Sequence, residues 1–344
     1  MSYKDLSPKD LQGIFQAIDD GLKEYNGLKI EHLRSSELCR DYYCYHIYGE
    51  NLDFLLKHSD SHEAGVYSLL NDRNIKPRLS VPKLYDAIPL KANPYARLLA
   101  MEYIRQGQNV GDSYNQVDGL VIYKGGSCAE AWKSTGQELS RIHHIYWGNL
   151  KSKPFSKPDQ TYEGILSNLD YSPKVQDYPV IKEAVLKMKH YLSQMPTCLV
   201  HFDLLPINVI VRERILTRAD GTKVVHPQAT IVDWQTADTL PYILDVARIT
   251  SHCIREEILD QNELDESHEY CNCDCRNAIL DSYYYGIKNR IEISKEEFLR
   301  DYQIGRFFEI LRMYHQMPVP QPRTSYDRYY WNNARRIAET ILGI

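Results

Sequence analysis

Four polar residues lie at the ends of two apolar stretches of the sequence. His201, Asp203 and Asn208 interrupt the apolar run LVHFDLLPINVIV, and Asp233 ends the run that begins ATIVD. Carboxylate and amide oxygens are hard ligands, and a few of them with room for water suit Mg²⁺ held jointly with substrate phosphates. These residue types therefore indicate metal-assisted chemistry on a phosphate group.

The same two stretches predict a β-hairpin. They are rich in β-branched and apolar residues, and Asp220-Gly221 between them is typical of a two-residue hairpin turn. A regular ladder about that turn places Asn208 opposite Asp233 at the open end. Pro227 cannot donate to the ladder, so a bulge or edge position there would shift the register by one residue.

Asp203 precedes Asn208 by five residues, on the turn that leads into the hairpin. A carboxylate beside such a pair of metal ligands suits the role of base for an incoming hydroxyl, because phosphoryl transfer needs mainly positioning and charge neutralisation. The spacing His-x-Asp-x4-Asn, followed by an apolar residue and Asp, resembles the aminoglycoside phosphotransferase and choline kinase superfamily, relatives of the protein kinases. The resemblance implies that Asp203 is the catalytic base, that Asn208 and Asp233 hold Mg²⁺, and that His201 buttresses the loop.

Other positions can be compared with the same superfamily. The segment DVARI resembles its Asp-Leu-Ala segment, whose acid, here Asp245, is a structural hydrogen-bonding residue. Phe202 and Ile207 replace glycines common in relatives, and Trp234 replaces the phenylalanine of protein kinases. None of these departures removes a ligand. The plainer alternative is that the polar residues only satisfy backbone groups at strand ends, although such a combination seldom arises by chance.

Composition narrows the class of protein. The chain has 344 residues, more than most single cores, and its 43% hydrophobic and 25% charged residues are usual for a globular protein. A net charge of −5 argues against nucleic acid as the main partner, because binding a phosphate backbone needs a basic face. No apolar run reaches membrane-spanning length and the N-terminus does not resemble a signal peptide, so the expected compartment is the cytoplasm.

The eight cysteines are scattered except for three in the run CNCDC, residues 271–275. With no secretion signal in the sequence, we expect reduced thiols rather than a disulfide framework. Structural zinc sites have two separated pairs of ligands, and this run lacks that spacing. A metal site at CNCDC is therefore the less favoured interpretation.

The first hundred residues predict a helix over residues 8–24, three strands and a second helix over about residues 61–72. The strands are LKIEHL, RDYYCYHIYG and NLDFLLK, and Lys57 closes the third. The resemblance implies that Lys57 contacts the α and β phosphates of the nucleotide and pairs with Glu63 on the second helix. Asp60-x-x-Glu63 also fits a capping box, which satisfies helix-start amides whatever the function.

Further nucleotide contacts are predicted on either side of these strands. The turn RSSELCR, where a glycine-rich phosphate loop would lie, contains no glycine, so its candidates are Ser35 and Ser36. The segment ARLLAMEYI resembles the last strand of a kinase small lobe. That resemblance implies backbone contacts with the purine from Glu102, Tyr103 and Ile104.

The polar, glycine-containing segment after residue 104 predicts a hinge loop. We therefore expect an N-lobe at residues 1–104, with the nucleotide-binding sheet, and a C-lobe at residues 105–344, with the base, the metal site and the substrate pocket. Helices are predicted at about residues 128–146 and 180–194. His143, within the first of these, is expected to be a packing residue.

Two features bear on the acceptor. Residues 251–275 contain eight acidic residues and one basic residue. The resemblance relates this acidic segment to a pocket for amino sugars, and the alternative is a solvated helix face. A cluster of aromatic residues forms either a cage for a quaternary amine or part of the core. Its members are Tyr283, Tyr284, Tyr285, Tyr329, Tyr330 and Trp331.

Together these patterns predict an α+β, two-lobed, protein-kinase-like fold with a small antiparallel-sheet N-lobe and a larger, mostly helical C-lobe. The expected function is Mg²⁺-dependent transfer of the γ-phosphate of ATP or GTP to a hydroxyl of a cationic, amino-sugar-like small molecule. Choline or ethanolamine is the alternative acceptor. A non-catalytic, nucleotide-binding pseudokinase is the alternative class, suggested by the glycine-free turn; the presence of Asp203, Asn208 and Asp233 together argues against it.

Overall fold

The computed structural model describes most of the chain. The described ranges are residues 7–33, 44–75, 78–90, 93–104, 108–109, 128–148, 161–217, 220–251, 274–315 and 325–343. Ser35 and Ser36 lie outside them, as do residues 252–273 of the acidic segment and the side chains of CNCDC, Tyr329 and Tyr330. The chain divides into two compact units, Met1–Gln106 and Gly107–Ile344. The boundary at residue 104 stays a prediction, since residues 105–107 are not described.

The first unit is built on a six-stranded antiparallel sheet. Its elements are α1 (Pro8–Asp19), β1 (Glu24–Tyr25), β2 (Leu28–His32), β3 (Cys44–Tyr48), β4 (Asp53–Asp60), α2 (Ser61–Leu70), β5 (Leu84–Leu90) and β6 (Asn93–Met101). The strand order is β1-β2-β3-β4-β6-β5, with every neighbouring pair antiparallel. The three strands and the second helix predicted from the sequence are present.

Helix α1 packs on one face of this sheet. Its start is fixed by a capping box in which Ser7 and Asp10 each bind the other's backbone N–H. It ends five residues before the predicted residue 24, because Gly21 adopts a left-handed φ of 70° that turns the chain toward β1. Phe54 and Leu56 of β4 belong to the core that includes α1. Since side chains alternate along a strand, Lys57 lies on the opposite face.

The second unit is mostly helical. Its elements are β7 (Gln108–Asn109), α3 (Cys128–Ile145), α4 (Tyr162–Tyr171), α5 (Pro173–Gln176), α6 (Pro179–Gln194), β8 (Thr197–Val200), β9 (Val209–Thr217), β10 (Lys223–Ile231), β11 (Asp238–Pro241), α7 (Leu244–Ser251), α8 (Asp274–Ile291), α9 (Lys295–His315) and α10 (Ser325–Leu342). The helices predicted before the polar motif are confirmed as α3 and α6. Within the described ranges, none of the helices has the length and apolarity needed to span a bilayer.

The hairpin β9–β10 corrects the predicted register by one residue. Asn208 lies level with Val232 rather than with Asp233, and the Val232 N–H donates to the Asn208 carbonyl at 2.9 Å. The reason lies at the closed end of the ladder, where Thr217 pairs with Lys223, a register that a two-residue turn at Asp220-Gly221 does not give. The ladder continues unbroken through Pro227, so no bulge contributes to the difference.

Helices α3 and α8 pack closely in the second unit. A β-carbon at Gly136 of α3 would lie 2.6 Å from the carbonyl oxygen of Ile279 in α8, so only glycine permits this separation. The approach brings His143 of α3 into contact with Tyr283 of α8. Helix α7 in turn packs on α9. These two contacts support the loop between β8 and β9, which carries most of the polar motif.

Candidate active site

Asp245, at the start of α7, fixes the backbone of the loop formed by residues 201–208. Its Oδ2 accepts the N–H of His201 at 2.7 Å, and its Oδ1 accepts the N–H of Phe202 at 2.8 Å. Asp245 is fully buried, and charge-assisted hydrogen bonds donated to a buried carboxylate are among the stronger ones in proteins. The structural hydrogen-bonding role expected for Asp245 is therefore confirmed.

A buried histidine and tyrosine extend this contact into the core. His143 Nε2 lies 3.2 Å from Asp245 Oδ2, and His143 Nδ1 lies 2.6 Å from the Tyr283 hydroxyl. All three residues are fully buried, and burial raises the pKa of the Tyr283 phenol, so it stays protonated. His143 is thus more than the packing residue that the sequence predicts, since it connects α3 and α8 to the carboxylate that holds the loop.

Phe202 adopts a left-handed backbone with a φ of 66°. For a side chain of this size that conformation costs about 1–2 kcal/mol. Three contacts offset the cost here. The N–H binds Asp245, the carbonyl accepts a hydrogen bond from Arg312 Nη1 at 2.7 Å, and the buried ring lies 4.5 Å from the Arg312 guanidinium.

Asp203 follows Phe202, and its side chain is 35% exposed. Its Oδ1 lies 2.8 Å from Arg248 Nη2 and 3.8 Å from Arg312 Nη2. Burial works to raise the pKa of Asp203, but the two guanidinium groups outweigh it and hold the pKa below its ordinary value. The carboxylate is therefore an anion at neutral pH and remains reachable from solvent.

Asn208 is held so that its amide oxygen is presented rather than its amide nitrogen. The Nδ2 group donates to the Asp203 backbone carbonyl at 2.9 Å. A carbonyl oxygen can only accept, so this bond fixes the orientation of the amide and directs Oδ1 away from the contact. Asn208 thus contacts Asp203 directly and offers one hard oxygen atom.

Asp233 ends the second stretch, two residues after β10. Its backbone is left-handed, with a φ of 67°, and a short 3₁₀ turn over Trp234–Thr236 follows it. Aspartate tolerates this conformation better than most residues. Because Val232 binds the Asn208 carbonyl, Asn208 and Asp233 lie at the same end of the hairpin. One amide oxygen and one carboxylate are the donor set that Mg²⁺ accepts together with water and phosphate oxygens.

His201 is fully buried and braces the loop against the end of β10. Its Nε2–H donates to the Val232 carbonyl at 2.8 Å, and its ring packs 4.8 Å from the indole of Trp234. Its own carbonyl accepts the Thr236 hydroxyl at 2.9 Å. These contacts join the segment containing Asp203 to the segment containing Asp233, as expected for a buttress, and they leave His201 away from solvent.

Lys57 and Glu63 form an ion pair within the first unit. Lys57 Nζ lies 2.8 Å from Glu63 Oε1, and the Ser59 hydroxyl donates to Oε2 of the same carboxylate. The Asp60 side chain accepts the Glu63 N–H at 2.8 Å and so caps α2. The helix cap uses the backbone N–H of Glu63 and the ion pair uses its carboxylate, so Asp60 is an N-cap and the predicted capping box is reduced to this one hydrogen bond. Contact between Lys57 and a nucleotide remains a prediction.

The residues predicted at the purine edge follow β6. The Glu102 N–H donates to the Lys83 carbonyl at 2.8 Å, so this amide is already engaged. The ring of Tyr103 stacks on His46 with 3.6 Å between ring centroids, and His46 Nε2 lies 2.6 Å from Asp53 Oδ1. Ile104 is buried. Their purine contacts remain predictions, and Ser35 and Ser36 lie outside the described residues.

The described aromatic residues do not assemble a shared cation cage. Tyr283 is fully buried, whereas the rings of Tyr284 and Tyr285 contact one another in a tilted arrangement, with 5.4 Å between centroids and 58° between planes. Their rings already contact lysines of this chain, with Lys295 4.7 Å from Tyr284 and Lys288 4.8 Å from Tyr285.

Among the described residues, no group of three or more His, Cys, Asp or Glu side chains is placed to hold a metal ion.

Three functional candidates escaped the sequence patterns: Arg248, Glu309 and Arg312. Arg248 lies one helical turn after Asp245 in DVARI. This spacing puts the two residues on the same face of the helix, which is a weak sequence indication that Arg248 also faces the loop. Glu309 and Arg312 lie on α9, where no local pattern distinguishes them from other charged helix residues. Only the packing of α9 on α7 brings them to Asp203.

Comparison with known proteins identifies the fold. Neither a protein-family model nor a curated protein matches the sequence. Among solved structures, an ethanolamine kinase of Plasmodium vivax is similar, with 11% identity, 98% of this chain and 90% of that chain covered, and a TM-score of 0.53. An amicoumacin kinase in complex with AMP-PNP and Ca²⁺ shows 13% identity, coverage of 97% and 96%, and a TM-score of 0.54.

A putative aminoglycoside phosphotransferase from Ralstonia eutropha gives 12% identity, coverage of 97% for both chains, and a TM-score of 0.54. At such identities the likeness concerns the fold. The chain therefore has the protein-kinase-like fold shared by aminoglycoside phosphotransferases and choline/ethanolamine kinases, and the predicted α+β fold class is confirmed.

Proposed function

We propose that this protein is an ATP- or GTP-dependent phosphotransferase that transfers the γ-phosphate to a hydroxyl of a small molecule, with Asp203 as the base. One observation carries the proposal. Asn208 binds the Asp203 carbonyl through Nδ2 and the Val232 N–H through its own carbonyl, so a base candidate and two metal-ligand candidates meet at one end of a hairpin. The kinase-like fold supports the same reaction class.

The reaction divides its tasks among these residues. Asp203 orients the acceptor hydroxyl and takes its proton as the acceptor oxygen bonds to the γ-phosphorus. The bond from that phosphorus to the β–γ bridging oxygen breaks, ADP or GDP leaves, and Asp203 later returns the proton to solvent. Positioning and charge neutralisation are the main demands of this reaction. Lys57, ion-paired with Glu63, supplies a positive charge for the α and β phosphates.

The metal site requires little from the protein. Asn208 Oδ1 and the Asp233 carboxylate would hold Mg²⁺, which keeps most of its remaining positions for water and phosphate oxygens. When bound, the ion supplies neutralisation of the negative charge on the β and γ phosphates. Asn208 contributes its fixed amide orientation, and Asp233 contributes a carboxylate from a left-handed backbone position just after β10.

The acceptor proposed first is a cationic, amino-sugar-like molecule, on the basis of the acids in residues 251–275. Choline or ethanolamine is the second candidate, favoured by the similarity in fold to the Plasmodium vivax ethanolamine kinase. The described tyrosines offer a quaternary amine little support, because Tyr283 is buried and the rings of Tyr284 and Tyr285 already bind lysines.

A panel of hydroxyl acceptors tests the function. Purified protein is incubated with MgATP or MgGTP and amino sugars, choline, ethanolamine or neutral sugars, and phosphorus NMR follows the product. We expect one class to be phosphorylated, with the rate falling by about 10³-fold or more in Asp203→Asn, which removes the base. Asp220→Asn, the same change at the exposed tip of the hairpin, is the matched control and should retain the wild-type rate.

The pseudokinase alternative gives a different result in the same experiment. It predicts thermal stabilisation by MgATP but no transfer to any acceptor, together with no difference between the wild-type protein and Asp203→Asn. That pattern, with a nucleotide-bound but inert protein, would overturn the proposed transfer reaction.

A further inference from the structure

The two oxygens of the Asp203 carboxylate have different surroundings. Both guanidinium contacts, at 2.8 Å from Arg248 and 3.8 Å from Arg312, are made to Oδ1. Within the described residues, Oδ2 takes part in no hydrogen bond or ion pair, and 35% of the side chain is exposed. The oxygen that can accept a proton from an outside hydroxyl is therefore Oδ2.

Arg248 reaches Asp203 from α7. Its side chain is only 9% exposed, and its Nη1 lies 3.2 Å from Glu309 Oε2 while its Nη2 binds Asp203. The planar guanidinium thus spans two carboxylates with its two terminal nitrogens, a geometry that lysine cannot reproduce. Burial works to lower the pKa of Arg248, but Glu309 and Asp203 outweigh it and raise that pKa.

Arg312, on α9, also places its guanidinium between Glu309 and Asp203. Its Nη1 lies 3.4 Å from Glu309 Oε1 and donates to the Phe202 carbonyl, and its Nη2 lies on the Asp203 side. Glu309, 1% exposed, therefore holds one arginine with each carboxylate oxygen. We call Arg248, Arg312 and Glu309 the guanidinium clamp. Together with Asp203 it has no net formal charge, which suits its burial.

We infer that the guanidinium clamp is the positioning device of the proposed phosphoryl transfer: it occupies Asp203 Oδ1 and so presents Oδ2, in one rotamer, to the acceptor hydroxyl. Arg248 is the principal positioning residue, because among the described residues it is the one that makes a hydrogen bond to the Asp203 carboxylate. The inference rests on the proposed function, since it assigns a role toward the base of that reaction. It adds residues of α7 and α9 to the base and metal-ligand candidates, which the sequence places within residues 201–233.

Positioning has a measurable consequence. A misplacement of about 1 Å in a reacting group costs about 100-fold in rate. Arg248→Met is therefore expected to lower kcat by about that factor, with the KM values for acceptor and MgATP unchanged, because the proposed clamp acts on Asp203 rather than on either ligand. Arg248→Lys keeps the charge but not the fork, so we expect a smaller loss, of about tenfold. ADP release with the acceptor found in the panel, or with water if none reacts, is the readout.

A double-mutant cycle separates positioning from a merely structural role. If Arg248 acts through Asp203, then Arg248→Met should cause no further loss of kcat in the Asp203→Asn background. Arg335→Met is the matched control, since it removes an arginine that is 64% exposed and paired with Glu339 at 3.0 Å on a surface helix. Its kcat should equal that of the wild-type protein.

The outcomes distinguish the two proposals. No transfer by the wild-type protein to any acceptor would overturn the proposed function itself, and wild-type transfer by Asp203→Asn would overturn the assignment of Asp203 as its base. An inactive Asp203→Asn combined with a wild-type kcat in Arg248→Met, or with losses that add independently in the double variant, would overturn the inference alone. If Arg248→Met does not fold, Arg248→Lys carries the same cycle, and a wild-type kcat in that variant likewise overturns the inference.

Discussion

Asp245 Oδ1 accepts the backbone N–H of Phe202 at 2.8 Å. The bond connects the first turn of α7 to the residue that precedes the proposed base, and it holds that residue in a left-handed conformation. Asp245 Oδ2 simultaneously accepts the His201 N–H and faces His143. One buried carboxylate therefore sets the backbone from which the side chain of Asp203 projects.

Replacing this carboxylate should destabilise the fold. In Asp245→Asn one acceptor oxygen becomes a donor that faces a backbone N–H, so a buried donor loses its partner. We expect the free energy of unfolding to fall by about 2–3 kcal/mol in urea titrations. Asp170→Asn is the control, because Asp170 is half exposed and pairs only with Lys189; its cost should be below about 1 kcal/mol. Equal costs for the two variants would contradict the role assigned to Asp245.

The left-handed backbone of Phe202 predicts an unusual order of stabilities. Both Phe202→Ala and Phe202→Gly lose the buried ring, at a cost of about 3–5 kcal/mol. Only the alanine variant keeps a β-carbon in the unfavourable conformation, so glycine should be the more stable of the two by about 1 kcal/mol. Urea unfolding of both proteins measures the difference. A more stable alanine variant would show that the loop does not require φ near 66°.

The Lys57–Glu63 ion pair should be strongly coupled, because Glu63 is fully buried. In a cycle of Lys57→Met, Glu63→Gln and the double variant, we expect a coupling free energy of about 1–3 kcal/mol from thermal unfolding. The exposed pair Lys133–Glu130 is the control and should couple by less than about 0.5 kcal/mol. A coupling at Lys57–Glu63 as weak as that of the control would contradict the buried ion pair.

Removal of a metal ligand should abolish the effect of Mg²⁺ on nucleotide binding. At MgADP concentrations of about 100 times Kd, the wild-type protein is expected to gain about 2.7 kcal/mol of stability. In Asp233→Asn we expect the same small stabilisation by ADP with Mg²⁺ as with EDTA, because one of two protein oxygen ligands loses its charge. Thermal unfolding gives both values, and Asp220→Asn should behave as wild type. A full Mg²⁺ effect in Asp233→Asn would exclude Asp233 as a ligand.

Local patterns explain which parts of the fold were predictable. The strand containing Lys57, the helices α3 and α6, and the hairpin each follow from periodicity and turn residues within the element itself. The end of α1 was predicted five residues late, because a single Gly21 outweighs the apolar pattern that continues to Leu22. The hairpin register was wrong by one residue, since the sequence does not determine how many residues form the connection.

The sequence by itself determined the chemical inventory of the site, because the roles proposed for His201, Asp203, Asn208 and Asp233 follow from residue type and from spacing along two strands and one loop. Only the tertiary structure decided how Asp203 is held. Arg248 lies 45 positions away in sequence, and His143 binds Asp245 across 102 positions. Such contacts arise when helices pack on one another, and no period within a helix records which distant carboxylate its charged face will meet.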